Sequence, residues 1–536
     1  MALLLVVGIL GGFLSAAPEM PRSGILDLGY SRYQGLSLYN GVDEFLGMRY
    51  AKPPVKDLRW RAPQDPEETG NETINATKFA PICVGVNQRP SNSLAEDCLY
   101  INVWRPSVLA SDTKLPVWVF IQGGGYASLS NANYNGSKVV EESGHEIVFV
   151  NFNYRVGALG FLASEEIDRD GDLNVGLLDQ RKALQWVQDH IRVFGGDPDH
   201  VVIHGDSAGA GSVAHHLTAT DANERHFFVG AVAESNFWPT QRTVTEMKFQ
   251  YDGFVKDLGC DGKDNSLSCL RSLRIDTLQK ADVTKPFPGG SKSPNPLWYF
   301  LPVVDGKLVP DRLWHLFQQD KFLHVPLMVS DDTNEGTDFG YNADNPQEVA
   351  QFIKNNYPGL NDTQLSTINR AYPLTQPLPK HKPYFPSAAK AYGESTFTCP
   401  GNLMSASMAQ HFSADKVWNY RFNVRDPSEV AAGKGVPHVF DLPAIFGVSS
   451  TNEPTESYAT INRAIIPITM NYFLSFVKSL DPNKHRDKKA PEWKSWGKGT
   501  GQRLKLQTNA TEMEDVPKDQ LERCSMWNTL AAAMQH

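Results

Sequence analysis

Residues 201–213 read Val201-Val202-Ile203-His204-Gly205-Asp206-Ser207-Ala208-Gly209-Ala210-Gly211-Ser212-Val213. The apolar β-branched run Val201-Val202-Ile203 leads into the pentapeptide Gly-Asp-Ser-Ala-Gly, and from Ala210 onward small residues suit the start of a helix. A sharp strand-to-helix turn at this place would lift the Ser207 hydroxyl clear of the backbone. Gly205 and Gly209 remove the side chains that would collide across such a turn. The helix beyond it points unpaired N–H groups at whatever reacts at the serine. A Gly-x-Ser-x-Gly string arises by chance in many chains, but flanked by strand and helix it makes Ser207 the leading candidate nucleophile.

The same alternation of strand and helix extends outward in both directions. Residues 117–121 and 147–152 predict buried strands, 176–191 an amphipathic helix, and 326–330 and 417–424 two later strands. This order indicates an α/β protein rather than a sandwich or a bundle. There is no internal repeat and no low-complexity linker, so one domain from residue 18 to residue 536 is the simplest division, large as it is.

Hydrophobic residues make up 41% of the chain and charged residues 21%, enough apolar material for a large core. The net charge of −9, with no lysine- or arginine-rich tract, argues against nucleic acid and anionic membranes as partners.

At the N-terminus, residues 3–14 form an apolar run too short to span a bilayer and followed by Ser15-Ala16-Ala17, which predicts a signal peptide over residues 1–17. The run lacks a preceding lysine or arginine and Pro18 would follow the cut, so a buried N-terminal segment is the alternative. The six cysteines, Cys83, Cys98, Cys260, Cys269, Cys399 and Cys524, are an even number with no C-x-x-C spacing, which favours disulfides over zinc. N-x-S/T triplets at Asn71, Asn75, Asn135, Asn361 and Asn509 would accept glycans in a secreted chain. The expected destination is extracellular, with no stable membrane insertion.

A serine hydroxyl is a weak nucleophile, so a histidine must take its proton and a carboxylate must orient that histidine. Where a strand–serine–helix turn is used, the chain order is serine, acid, histidine. Of the histidines beyond the serine, His438 lies in the glycine- and proline-bearing loop G-V-P-H-V-F downstream of the strand at 417–424. The acid should follow the strand at 326–330, where D-D-T-N-E-G offers Glu335; Asp331, Asp332 and Asp338 compete with it on spacing alone. Gly123-Gly124-Gly125, after the strand at 117–121, reads either as a tight turn or as backbone donors for an oxyanion. With Ala208 these would make a set of donors, each worth about 3 kcal/mol of transition-state stabilisation.

With these residues in place the chain strongly resembles the type-B carboxylesterases, the family that also holds cholinesterases and several fungal lipases. The resemblance rests on F-L-G-M-R-Y-A-K-P-P at 45–54, E-D-C-L-Y-I-N-V-W at 96–104, N-Y-R-V-G-A-L-G-F-L at 153–162, G-L-L-D-Q-R-K-A-L-Q-W-V at 176–187 and the stretch 194–209. The Q-G-G-G-Y loop and F-W-P-T-Q-R-T-V at 237–244 are most like the secreted filamentous-fungal members. The resemblance implies an α/β-hydrolase fold with a large, mostly parallel central sheet flanked by helices. It implies a Ser207–Glu335–His438 triad and oxyanion donors at Gly124, Gly125 and Ala208, working without metal or cofactor on a small-molecule ester. Asp206 departs from the glutamate that many relatives have there, which leaves its role open. The implied disulfides are Cys83–Cys98, Cys260–Cys269 and Cys399–Cys524.

The lipases of the family carry a mobile lid in a long first disulfide loop; residues 84–97 are short, polar and without an amphipathic helical face, so no such lid is expected. Cholinesterases place in that loop a tryptophan that holds choline by cation–π attraction, and residues 84–97 contain no aromatic residue. Phe237 and Trp238 are either part of an acyl pocket or plain core. The resulting expectation is a secreted, glycosylated serine carboxylesterase for short- to medium-chain or otherwise soluble esters. The alternatives are a lipase for long-chain acylglycerols and a non-catalytic binding member of the family.

Overall fold

Along the predicted strands, successive side chains fall into two separate apolar clusters. Val117, Val119 and Ile121 belong to one cluster, while Trp118 and Phe120 belong to the other. Val201 and Ile203 part from Val202 in the same way, as do Leu327 and Val329 from Met328. A strand buried on both faces belongs inside a sheet that helices cover on both sides. The computed structural model describes such a sheet in residues 21–222, 224–451, 456–497 and 501–536.

The sheet has 13 strands. They are β1 (Arg22–Asp27), β2 (Arg32–Ser37), β3 (Val42–Arg49), β4 (Thr73–Asn75), β5 (Tyr100–Pro106), β6 (Leu115–Ile121), β7 (Val148–Phe152), β8 (Gly196–Asp206), β9 (Gly230–Glu234), β10 (Leu327–Asp332), β11 (Val417–Phe422), β12 (Gln502–Leu506) and β13 (Glu512–Asp515). The order is β1-β2-β3-β5-β7-β6-β8-β9-β10-β11-β12-β13, with β4 beside β2. From β7 to β12 every pairing is parallel, and antiparallel strands close both ends.

Seven helices matter for the site: α1 (Val175–His190), α2 (Ala208–Thr218), α3 (Phe385–Gly393), α4 (Cys399–His411), α5 (Leu442–Phe446), α6 (Ile465–Ser479) and α7 (Lys518–Met534). α1, α2, α4 and α7 place Leu184, Val213, Met404 and Trp527 in the first cluster; α5 and α6 place Phe446, Phe473 and Phe476 in the second. Each such buried side chain contributes roughly 1.5–3 kcal/mol relative to exposure, before chain entropy is counted. The architecture is the α/β-hydrolase sheet that the sequence implies. The strand predicted at 201–203 is longer, Gly196–Asp206, and the helix expected from Ala210 begins at Ala208. The reason is that Ser207 alone turns the chain.

The three disulfides are Cys83–Cys98, Cys260–Cys269 and Cys399–Cys524, as the resemblance implies. The last spans 125 residues and ties the start of α4 to α7. The signal-peptide expectation for residues 1–17 lies outside the described residues. Among the described residues no helix is long and apolar enough to cross a membrane. β6, β8 and β10 are parallel and end on the same side of the sheet, and Gly123, Gly124, Gly125, Ser207 and Glu335 follow within a few residues of those ends, where open parallel sheets place their ligands.

Candidate active site

The turn between β8 and α2 consists of Ser207, whose backbone is held at φ 53° and ψ −122°. A non-glycine residue there costs about 1–3 kcal/mol and persists because its surroundings fix it. The Ser207 N–H donates to the Glu234 carbonyl at 2.9 Å, and Gly211 N–H donates back to the Ser207 carbonyl at 3.0 Å. A Cβ at Gly209 would lie 1.8 Å from the Ile121 carbonyl oxygen, and one at Gly205 would lie 2.2 Å from the Gly209 backbone. Both glycines are therefore required by close backbone approach. Ser207 is 7% exposed and His438 9%, so the site is recessed.

Glu335 begins a short 3-10 turn just past the end of β10. Its Oε1 accepts the Asp332 N–H at 2.6 Å, and its Oε2 is hydrogen-bonded to His438 Nδ1. Two bonds lace the acid segment to the histidine segment. Asn334 N–H donates to the Val436 carbonyl at 2.9 Å, and Val436 N–H donates to Asn334 Oδ1 at 2.9 Å. Gly336 presses against α3, where a Cβ would meet the Ala389 carbonyl at 1.7 Å. The competing acids are committed elsewhere: Asp331 to Arg503 at 3.4 Å and Asp338 to Lys434 at 2.8 Å. Asp332 turns its Oδ2 to the Phe440 N–H at 3.1 Å.

With Nδ1 facing a carboxylate, the His438 ring carries its proton there and leaves the Nε2 lone pair as the basic site. Nε2 is buried and makes no hydrogen bond in this structure, to Ser207 Oγ or to any other group. Such bonds commonly tighten only when substrate is bound. Phe397 and Phe339 hold the ring from two sides, with centroids 4.4 and 5.0 Å away.

Each glycine of the loop is required by a close approach. A Cβ at Gly123 would sit 2.9 Å from the Ser207 Cβ, one at Gly124 2.1 Å from the Ser128 carbonyl, and one at Gly125 2.0 Å from the Trp298 ring. Gly124 and Gly125 also have φ of 114° and 63°, the region that favours glycine. Among the described residues, the N–H groups of Gly124, Gly125 and Ala208 donate to no other group of the protein. They are unpaired donors beside the serine, suited to a developing oxyanion.

Phe237 joins the rings near the site, 5.5 Å from Trp298 and 5.7 Å from Phe397. Trp238 instead packs on Trp314 and Phe317, away from it, as core. Trp298, Phe339 and Phe397 carry no distinguishing signal in the sequence: Trp298 lies in the apolar run P-L-W-Y-F-L, and Phe339 and Phe397 are single phenylalanines in polar stretches. Residues 84–97 contain no helix; Leu94–Ala95 pair with Ile82–Cys83, and the segment docks on the glycine loop through Val86 N–H to the Ala127 carbonyl at 2.8 Å. A cavity of about 720 Å³ backs onto Glu335, but neither Ser207 nor His438 lines it. Its guanidiniums are committed, Arg421 and Arg503 to Glu514 and Arg523 to Glu394.

Residues 27–527 match the family model described as Carboxylesterase family. The chain is 30% identical to Lipase 2 of Geotrichum candidum over 532 residues, covering 88% of this chain and 89% of the relative. It is 32% identical to Secreted lipase 1 of Botryotinia fuckeliana (strain B05.10) over 502 residues, covering 85% and 84%. Among solved structures, Aspergillus niger EstA matches with a TM-score of 0.94 at 56% identity, over 96% of this chain and 99% of that one. PNB esterase matches with a TM-score of 0.78 at 26% identity, over 93% and 99%.

Proposed function

The chain belongs to the carboxylesterase family and is a carboxylic ester hydrolase, and on that premise we propose that it works through Ser207, His438 and Glu335. Ser207 Oγ attacks the ester carbonyl while His438 Nε2 takes its proton; Glu335 orients the ring and stabilises the imidazolium. The oxyanion is held by the N–H groups of Gly124, Gly125 and Ala208. His438 then gives its proton to the leaving alkoxide, which departs as the alcohol. A water, deprotonated by the same Nε2, attacks the acyl-enzyme, and His438 returns that proton to Ser207 Oγ as the acid leaves and the free serine is restored. The observation that carries this reading is the hydrogen bond of His438 Nδ1 to Glu335 Oε2 with Nε2 left unengaged.

Short- to medium-chain or otherwise soluble esters fit the site better than long-chain acylglycerols. Trp298 walls off the space next to Gly125, and residues 84–97 have no helix that could serve as a lid. Residues 84–97 also lack an aromatic ring for a choline cation, so choline esters are poor candidates. The names of the relatives favour a second reading, a lipase acting at an oil surface. Hydrolysis of p-nitrophenyl esters from acetate to palmitate, by the protein and by Ser207→Ala, separates the two. The esterase reading expects rates that fall with acyl length and vanish in the variant. A jump in rate above the solubility limit would support the lipase.

Secretion is supported by the three disulfides and by the secreted relative. Asn71, Asn75, Asn361 and Asn509 are exposed and are our candidates for glycans, whereas Asn135 is half-buried.

A further inference from the structure

Beneath the serine–acid–histidine set lie three carboxyl groups that the mechanism does not use. Glu234, Asp332 and Asp441 are at most 1% exposed, and among the described residues no lysine or arginine pairs with them. Glu234 ends β9, and its carbonyl holds the Ser207 N–H. Asp441 follows His438 by three residues, directly before α5. The Glu234 and Asp441 carboxyls lie within hydrogen-bonding reach of each other. Two facing carboxyl groups in an interior without a cation need a proton between them.

The surrounding partners say where that proton sits. The His204 ring is enclosed by Trp118, Phe120, Phe446 and Phe473, and burial pushes its pKa down to about 3, so it is neutral with a single N–H. His204 Nδ1 has no partner, and a buried orphan N–H costs more than an orphan lone pair, so the single N–H sits on Nε2, 2.7 Å from Glu234 Oε2, which accepts it. Glu234 Oε1, which no N–H or hydroxyl reaches, is left to carry a proton toward Asp441. Asp441 Oδ2 also accepts the Tyr420 hydroxyl at 2.6 Å. The result is one directional chain, from His204 to Glu234 to Asp441, met by Tyr420 from the other side.

We propose that Glu234 is a positioning residue held as a neutral carboxylic acid, whose proton bonds to Asp441 and so anchors the His438 segment to the strand behind Ser207. This rests on the reading of His438 as the base. The neutrality matters for that base: a further carboxylate near His438 would favour imidazolium over imidazole and leave less free base at neutral pH. Burial, then the neighbouring carboxyls of Asp441, Asp206 and Asp332, all push the Glu234 proton affinity up. The titratable groups that face Glu234 are His204 and Asp206 from β8, Asp332 from β10, Tyr420 from β11, Asp441, and Tyr458.

Glu234→Gln keeps the shape and both hydrogen bonds, since the amide oxygen accepts from His204 and the amide N–H donates to Asp441; Glu234→Leu keeps neither. The pH profile of kcat/KM on p-nitrophenyl acetate is measured for both. Glu234→Leu is expected to lose about tenfold or more, and Glu234→Gln to recover most of it. The acidic limb of the Glu234→Gln profile is expected to stay in place. A fall of that limb by about one pH unit would show that a negative charge had been removed, and would overturn the proposal. Should the glutamine variant not fold, infrared spectra of protein labelled with carbon-13 at its glutamate carboxyls decide the matter, in a Glu44→Gln background because Glu44 is also raised by burial. A carboxylic-acid C=O band at about pH 8 is expected, well above the Glu reference pKa of about 4.3, and its absence overturns the proposal. Wild-type hydrolysis by His438→Ala is a distinct outcome, which would remove the base assignment itself.

Discussion

The indole of Trp298 lies directly over Gly125, so close that a Cβ on the glycine would stand 2.0 Å from the ring. Trp298 is fixed there by its own Nε1–H, which donates to the Tyr392 hydroxyl at 2.9 Å, and by Phe237 and Phe339 at its edges. One side of the space beside the oxyanion donors is thus an aromatic wall. Trp298→Ala should raise the octanoate-to-acetate ratio of kcat/KM by about tenfold or more, within the range that apolar pocket contacts discriminate. A ratio that does not move would place the acyl chain elsewhere.

The four acids after β10 are separated by their partners. Glu335→Gln should lower kcat about a thousandfold or more, because the amide no longer holds the correct tautomer or stabilises the imidazolium. Asp338→Asn breaks a surface pair with Lys434 and should change kcat by less than about twofold. Equal losses in the two variants would remove Glu335 from the role proposed for it.

Much of the site is legible in the sequence where its constraints are local. Gly205, Ser207 and Gly209 fall within five residues, and the structure shows a clash at each glycine that only glycine avoids. On spacing alone the acid is legible only to within a few residues, and the resemblance is what points to Glu335, because Asp331, Asp332, Asp338 and Glu335 differ in which distant group they meet: Arg503, Phe440, Lys434 or His438. Trp298, Phe339 and Phe397 left no trace, since whether an aromatic ring faces a core or a site depends on how remote loops converge. The buried His204–Glu234 pair was equally hidden. Each residue sits in an apolar strand, and only the sheet register, His204 beside Val232 and Asp206 beside Glu234, brings them together.

The Cys399–Cys524 bond closes the longest disulfide loop and joins α4 to α7. Replacing both cysteines with serine should lower the melting temperature, with a loss of up to about 5 kcal/mol on the chain-entropy model. The initial rate at room temperature should be retained, since neither residue touches Ser207, Glu335 or His438. An unchanged melting temperature would mean that the bond adds nothing to stability.

Asp282 supplies a test of stability against pH. Burial pushes its pKa up to about 7, and its Oδ1 accepts the Ala158 N–H at 3.1 Å. When the Gln279 amide donates to the carbonyls of Gly85 and Gln88, at 3.0 and 3.1 Å, its oxygen faces Asp282 Oδ2, which suits a protonated carboxyl. Between about pH 4 and the folded value of about 7, the folded state holds a proton that the unfolded state has lost. Stability from this group therefore falls as pH rises through that window and levels off above it. Asp282→Asn should flatten this part of the curve, as read by urea midpoints at a series of pH values. An unaltered slope would show that Asp282 is ionised in the folded protein.

The central claim is that Ser207, activated by His438 and Glu335, becomes acylated. Stopped-flow mixing with p-nitrophenyl acetate, followed by peptide mapping of acid-quenched protein, tests it most directly. The account predicts a burst of close to one p-nitrophenol per protein chain, an acetyl group on the peptide that contains Ser207, and neither in Ser207→Ala. An acetyl group found on another residue, or a full burst from Ser207→Ala, would contradict it.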